Sequence, residues 1–259
     1  MHVTIIIPAR YESSRYPGKP LAMVGGKIAI QWTYEVACRV RSATDIYVAT
    51  DDERIRTAVK AFGGKVLMTS GACKNGTERV AEAVTACPSI PDIVVNLQGD
   101  SLLIPYLFID ELINFMKTGP FAEVATPVLK CDVESYRRFL NDRRNGRVGA
   151  TTVVSDSRKK ALYFSKEIIP FLSCEDLLLT VPVFHHVGVY AYRTPVLKDY
   201  CKWTVGPLEK AEQLEQLRFL EHGQNVHTVE VDSRGFDFWE LNNPEDLAII
   251  ESIIKKQNG

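Results

Sequence analysis

Three cations, Arg10, Arg15 and Lys19, stand in one segment directly after the apolar run Val3-Thr4-Ile5-Ile6-Ile7-Pro8. Arginine grips phosphate oxygens in a bidentate fork, and lysine adds a compact charge. Gly18, beside Lys19, lets the backbone come close to a ligand. The segment reads as a binding site for an anion; the alternative is a solvated basic loop. It is neither of the common glycine-rich phosphate loops, because the chain holds no G-x-G-x-x-G and no G-x-x-x-x-G-K-[ST] string.

These groups need elements to hold them. Val3 to Ile7 is a short β-branched run that reads as a buried parallel strand. A helical pattern follows from Ile28 to Val40. Asp45 to Ala49 is a second strand, after which Thr50-Asp51-Asp52 opens a helix that Gly63-Gly64 stops. Lys65 to Met68 and Ile93 to Leu97 are further strands, and Asn75-Gly76-Thr77-Glu78 opens the helix between them. Strand and helix in this rhythm predict an α/β fold, a Rossmann-like, doubly wound and mostly parallel sheet. In such sheets ligands sit outside the carboxyl ends of the strands. The loops Ala9–Lys19, Thr50–Asp52 and Gln98–Asp100 are therefore expected to converge on one cleft.

The second half is less regular. Asn141 to Gly149 reads as a polar surface loop, and Ala150–Val154 with Lys160–Phe164 as a hairpin. Val183 to Arg193 reads as one long strand and Leu208 to His222 as one helix. Asn225–Val231 is a strand, and Pro244–Lys256 a terminal helix capped by Asn243 with Pro244 at its first position. With no repeat and no clear linker, residues 1–259 read as a single domain carrying a smaller α/β lobe over roughly residues 130–205.

Hydrophobic residues make up 46% and charged residues 24% of the chain, the balance of an ordinary globular protein. The net charge of -1 provides no global field for nucleic acid or an anionic membrane, so an anion site must be local. The six cysteines include no C-x-x-C pair and are expected to be reduced thiols of a cytoplasmic protein. The N-terminus lacks the pattern of a signal peptide, and no segment approaches the ~18 apolar residues of a membrane span.

From Pro8 to Leu21 the chain reads P-A-R-x-x-S-S-R-x-P-G-K-P-L. This resembles the opening of the CMP-KDO synthetases, the 3-deoxy-manno-octulosonate cytidylyltransferases. The resemblance continues through Tyr47–Asp52, Phe62–Thr69, Asn75–Arg79 and Asn96–Asp100. It extends over Ala161–Ser165, His186–Tyr192, Leu214–Arg218 and Pro244–Leu247, nearly the whole chain in the family's order. It implies transfer of CMP from CTP to the anomeric hydroxyl of an acidic keto sugar, with Mg²⁺ as cofactor and a homodimer as the working form. By resemblance, Arg10, Arg15 and Lys19 hold the triphosphate, with Arg15, Lys19 and Asp100 catalytic. Pro8, Ala9, Asp51, Asn75, Gly76, Thr77, Arg79 and Gln98 belong with the nucleotide. Lys166, His186, Tyr190, Glu215 and Gln216 belong with the acceptor, and Asp100 with the metal. The chemistry of Asp100 agrees, since Mg²⁺ takes one or two carboxylates plus substrate oxygens; its alternative is a helix cap before Leu102. His186 could equally satisfy a strand position, and Glu215 and Gln216 a solvated helix face. Lys27 and His185 read as surface.

Three departures cluster on the acceptor and metal side. The family reads Q-G-D-E-P where this chain has Gln98-Gly99-Asp100-Ser101-Leu102. Lys166 replaces an arginine, and an ammonium does not reproduce a bidentate grip on carboxylate. Asn242 stands where a second metal-binding aspartate is expected, with Asp237 or Glu240 as substitutes. Two readings follow: a cytidylyltransferase for KDO or a modified acid, in cell-surface polysaccharide biosynthesis, or a CTP-binding paralogue without turnover. A phosphonate or other non-sugar acid is a further candidate acceptor.

Overall fold

The computed structural model describes residues 1–12, 16–119, 121–147, 150–235 and 239–258. β1 (Val3–Pro8) is buried at every position. An unbroken β-branched run forms a stable strand only where both faces are covered. Ile5 and Ile7 point into one layer and Ile6 into the other, each fully buried, and each contributes about 1.5–3 kcal/mol of transfer free energy. After β1 come a short hairpin, β2 (Met23–Val24) and β3 (Lys27–Ile28), and α1 (Ala29–Cys38). β4 (Asp45–Thr50), α2 (Glu53–Ala61), β5 (Val66–Met68), α3 (Gly76–Thr85) and β6 (Ile93–Leu97) continue the alternation.

The second half holds α4 (Tyr106–Thr118), β7 (Val124–Lys130), α5 (Val133–Arg144), β8 (Thr152–Ser155) and β9 (Ala161–Ser165). β10 (Phe184–His186), β11 (Val189–Arg193), α6 (Thr194–Tyr200), α7 (Pro207–Glu212), α8 (Leu217–Glu221), β12 (Val226–Glu230) and α9 (Asp246–Asn258) complete it.

Among the described residues, one sheet runs in the order β5-β4-β1-β6-β11-β7-β10-β8-β9, with β12 on the other edge of β7. β5, β4, β1 and β6 are mutually parallel, while β11 is antiparallel to β6. One core layer packs α1, α2 and α4 against the sheet, and the other packs α3, α6 and α8. The fold is thus the α/β, mostly parallel sheet that the sequence predicts, and the carboxyl ends of β1, β4 and β6 lie side by side.

Several expectations are corrected. The helix over 208–222 is two helices, broken at Gln213, whose φ is 54°. In a straight helix Glu209 and Arg218 would lie about 13 Å apart along the axis; the break lets them bond at 2.7 Å. The strand over 183–193 is two strands, because the chain changes partner from β8 to β6 at Val187-Gly188. As far as Arg144 the polar run from Asn141 is the last turn of α5, a helix that buries Tyr136 and Phe139; residues 148–149 lie outside the described residues. The terminal helix starts at Asp246, and the cap is reversed: the Asp246 carboxylate accepts from the backbone N–H of Asn242 at 2.8 Å and Asn243 at 2.7 Å. His185 is not a plain surface group, since its ring packs edge-on against Phe139 at 5.2 Å. α4, α5, α6 and β7 were not assigned from the sequence.

Candidate active site

The loops after β1 and β6 and the amino end of α3 open onto one cleft of about 540 Å³. β1 delivers Pro8, Ala9 and Arg10 to its wall, and β6 delivers Gln98, Gly99 and Asp100. A Cβ on Gly99 would lie 2.9 Å from the Pro8 carbonyl oxygen, so glycine is what allows the two strand ends to touch. Gly18 has φ 72° and would press any side chain on the Tyr11 ring; this turn carries Lys19 back over the cleft. There the Lys19 ammonium donates to Asp100 Oδ2 at 2.6 Å. Arg15 lies outside the described residues.

α3 contributes its first turn. Asn75 caps it by accepting from the Glu78 N–H at 2.8 Å, and the helix dipole at this end favours negative charge. Gly76 lies beside Gln98, whose amide would meet a Cβ at 3.0 Å. Arg79, buried, donates to Thr69 Oγ1 at 2.7 Å and pairs with Asp51 at 3.2 Å. Asp51 itself is not part of the cleft lining; it acts on the cleft through Arg79.

The opposite wall comes from α7, α8 and the segment between them. Glu215 lines the cleft, accepting from Thr77 Oγ1 at 3.1 Å and the Thr77 N–H at 3.4 Å. Burial raises its carboxyl above the ordinary value, opposed in part by those two bonds. Thr77 is fully buried and contacts Tyr192 and Glu215 instead of facing the cleft. Gln216 is also buried, so neither Glu215 nor Gln216 sits on a solvated helix face.

The remaining predicted acceptor residues do not line this cleft. His186 bonds Thr126 Oγ1 at 3.0 Å and packs between Phe164 and Tyr190. Desolvation lowers its pKa to about 3, so the ring is neutral. Tyr190 is buried next to it. Lys166 stands at the end of β9, where its N–H donates to Glu212 of α7 at 2.9 Å. Asn242 follows Leu241, whose N–H donates to the Asp100 carbonyl at 3.1 Å, so the chain brings residue 242 alongside Asp100.

Sequence reading missed Lys74, Glu209, Lys210, Gln213 and Arg218 in the lining. Arg218 lay inside the resembling segment Leu214–Arg218 and was the signal available. The cleft holds the cations Arg10, Lys19, Lys74, Arg79, Lys210 and Arg218 against Asp100, Glu209 and Glu215. A chain near neutrality thus concentrates positive charge at one place.

Residues 4–228 match the family model described as Cytidylyltransferase. The chain is 41% identical over 254 residues to the 3-deoxy-manno-octulosonate cytidylyltransferase of Maricaulis maris (strain MCS10), covering 98% of this chain and 97% of that protein. It is 44% identical over 253 residues to the 8-amino-3,8-dideoxy-manno-octulosonate cytidylyltransferase of Shewanella piezotolerans (strain WP3 / JCM 13877), covering 97% and 98%. The solved structure of a CMP:2-keto-3-deoxy-manno-octonic acid synthetase complexed with CTP superposes with a TM-score of 0.86 at 35% identity, over 99% of this chain and 100% of that one.

Proposed function

Since this chain belongs to the cytidylyltransferase family, we propose that it transfers CMP from CTP to 3-deoxy-manno-octulosonate (KDO) or its 8-amino-3,8-dideoxy form. The acceptor's anomeric hydroxyl oxygen attacks the α-phosphorus. The bond to the bridging oxygen breaks, pyrophosphate leaves with that electron pair, and the hydroxyl proton is released. Charge gathers on the phosphate oxygens, and preorganised cations stabilise it. The observation that carries this reading is the cleft itself. Arg10, Lys19 and the amino end of α3 face one side of it, and Glu215 faces the other.

Arg10 and Lys19, with Arg15, hold the triphosphate. Asn75 and Gly76 lie at the nucleoside, Arg79 is steadied there by Asp51, and Gln98 backs Gly76. Glu215 meets the acceptor, with Gln216 next to it in the chain, and Tyr190, His186 and Lys166 support the fold behind the cleft. The donor set suits Mg²⁺: among the described residues no group of three His, Cys, Asp or Glu converges, but Mg²⁺ is held by one or two carboxylates plus substrate phosphates. Asp100 would hold it, with Asn242 alongside as a neutral oxygen donor; when bound, Mg²⁺ neutralises charge on the phosphates. The product supplies cell-surface polysaccharide assembly from the cytoplasm. The working form is a homodimer in which the lobe near residues 130–205 serves dimerisation and acceptor contacts.

The test is pyrophosphate release with CTP and Mg²⁺ against KDO, its 8-amino form, nonulosonates and phosphonates. Release is expected with the octulosonates and with CTP in preference to GTP, UTP or TTP. Tight CTP binding with no turnover on any acceptor would replace the reading with a CTP-binding paralogue.

A further inference from the structure

Arg218 is about 2% exposed, yet it lies on the lining of the cleft. Its guanidinium joins three helices. Nε and Nη2 donate to the two Glu209 carboxylate oxygens of α7 at 2.7 Å each, and Nη1 donates to Glu78 of α3 at 3.1 Å. Glu78 is itself bound into the first turn of α3. Its N–H is taken by Asn75, and its other oxygen accepts from the Lys74 N–H at 2.9 Å.

The face of the guanidinium is also used. It lies over the Tyr200 ring at 4.2 Å. The Tyr200 hydroxyl accepts from Asn75 Nδ2 at 3.0 Å and donates to the Glu215 carbonyl at 3.2 Å. Asn75 and Gly76 stand on one side of the cleft, and Glu209, Gln213 and Glu215 on the other. Through its fork and its face, one buried cation therefore touches the partners that fix both sides.

We infer that Arg218 is a positioning residue that locks the nucleotide wall, at residues 74–78, in register with the acceptor wall, at residues 209–217. The inference rests on the reading that CTP and the acid acceptor meet in this cleft. A planar fork fills three oxygens on two carboxylates at once, which lysine does not reproduce. Loosening it lets the two walls shift by a fraction of an ångström to an ångström. A misplacement of that size costs about 100-fold in rate while leaving the charges that bind the nucleotide in place.

The experiment compares wild type with Arg218→Lys and Glu78→Gln in two measurements. The first is steady-state turnover of CTP with KDO and its 8-amino form, with CTP stoichiometry and Kd measured by calorimetry on the same samples. The inference expects kcat to fall by about 100-fold in Arg218→Lys, at full CTP stoichiometry and with Kd for CTP within about threefold. A kcat within threefold of wild type, or a loss confined to CTP affinity or stoichiometry, overturns it. The second needs no turnover: amide hydrogen exchange with and without CTP. In wild type, CTP is expected to slow exchange at 74–78 and also at 213–217. In both variants the second effect is lost and the first retained. Equal protection of 213–217 in wild type and variants overturns the inference, as does none in wild type. Absence of wild-type turnover with every acceptor counts against the functional reading, and the exchange result still decides the inference.

Discussion

Arg10, Gln98 and Asp100 each stand within three residues of a buried strand end, whereas Glu215 and Arg218 are placed by contacts between distant segments. The Arg218–Glu78 bond spans 140 residues of sequence, and Thr77–Glu215 spans 138. The wall at the ends of β1 and β6 carries Arg10 and Lys19, a charge suited to an anion. On the opposite side Glu215 is partly desolvated, and the neutral His186 and Tyr190 are buried behind the cleft. A wall built on strand ends tolerates change elsewhere in the chain. A wall built from returning segments changes whenever one of them shifts, and the departure at Lys166, whose N–H is held by Glu212 of α7, bears on it.

The largest effect that bears on this contrast is at Asp100. Asp100→Asn keeps the shape of the side chain and removes the charge that faces Lys19 at 2.6 Å. Pyrophosphate release is expected to fall about 10²–10³-fold, with the melting temperature nearly unchanged. Wild-type turnover in the variant would take Asp100 out of the mechanism.

Behind the acceptor wall the expected signature is in stability. His186 has its folded pKa lowered to about 3 from the ordinary 6.5 by burial. The unfolded chain therefore binds the proton first as pH falls, and the fold loses stability from about pH 6.5 downward toward pH 3. Between pH 6.5 and 5 this amounts to about 2 kcal/mol. His186→Gln should flatten that part of the profile in denaturant titrations. An equal slope in wild type and variant would mean that the ring is hydrated or charged in the native state.

The smallest effect is expected where the walls meet. Asn242→Asp adds a carboxylate next to the Asp100 segment, and Mg²⁺ activation should shift to roughly tenfold lower concentration or less. The titration of activity against Mg²⁺ reads this directly. No shift would mean that the position takes no part in holding the metal.

The corrections follow the same division. The first half of the fold was readable because its sheet strands are short apolar runs and two of its helices open on a capping residue, Asp52 for α2 and Asn75 for α3. Periodicity also marked 208–222 as helical, but it carries no information on the break at Gln213. That break brings the buried Arg218 to Glu209, and Arg218 also reaches Glu78. The strand over 183–193 failed in the same way, because its interruption comes from a change of partner and not from a residue that resists extension. The Asn243 cap was a local rule overridden by Asp246, which is held by Trp239 Nε1 at 2.9 Å and by two backbone N–H groups.

By itself, the sequence determined the doubly wound sheet and the family, because hydrophobic period, capping and motif are local properties of the chain. Tertiary structure decided which residues form the far wall of the cleft and how the buried charges of both walls are paired. Arg79 is tied to Asp51, Glu215 to Thr77, and Arg218 to Glu209 and Glu78. Buried charges require partners wherever the fold brings them, and such partners have no fixed spacing in the chain.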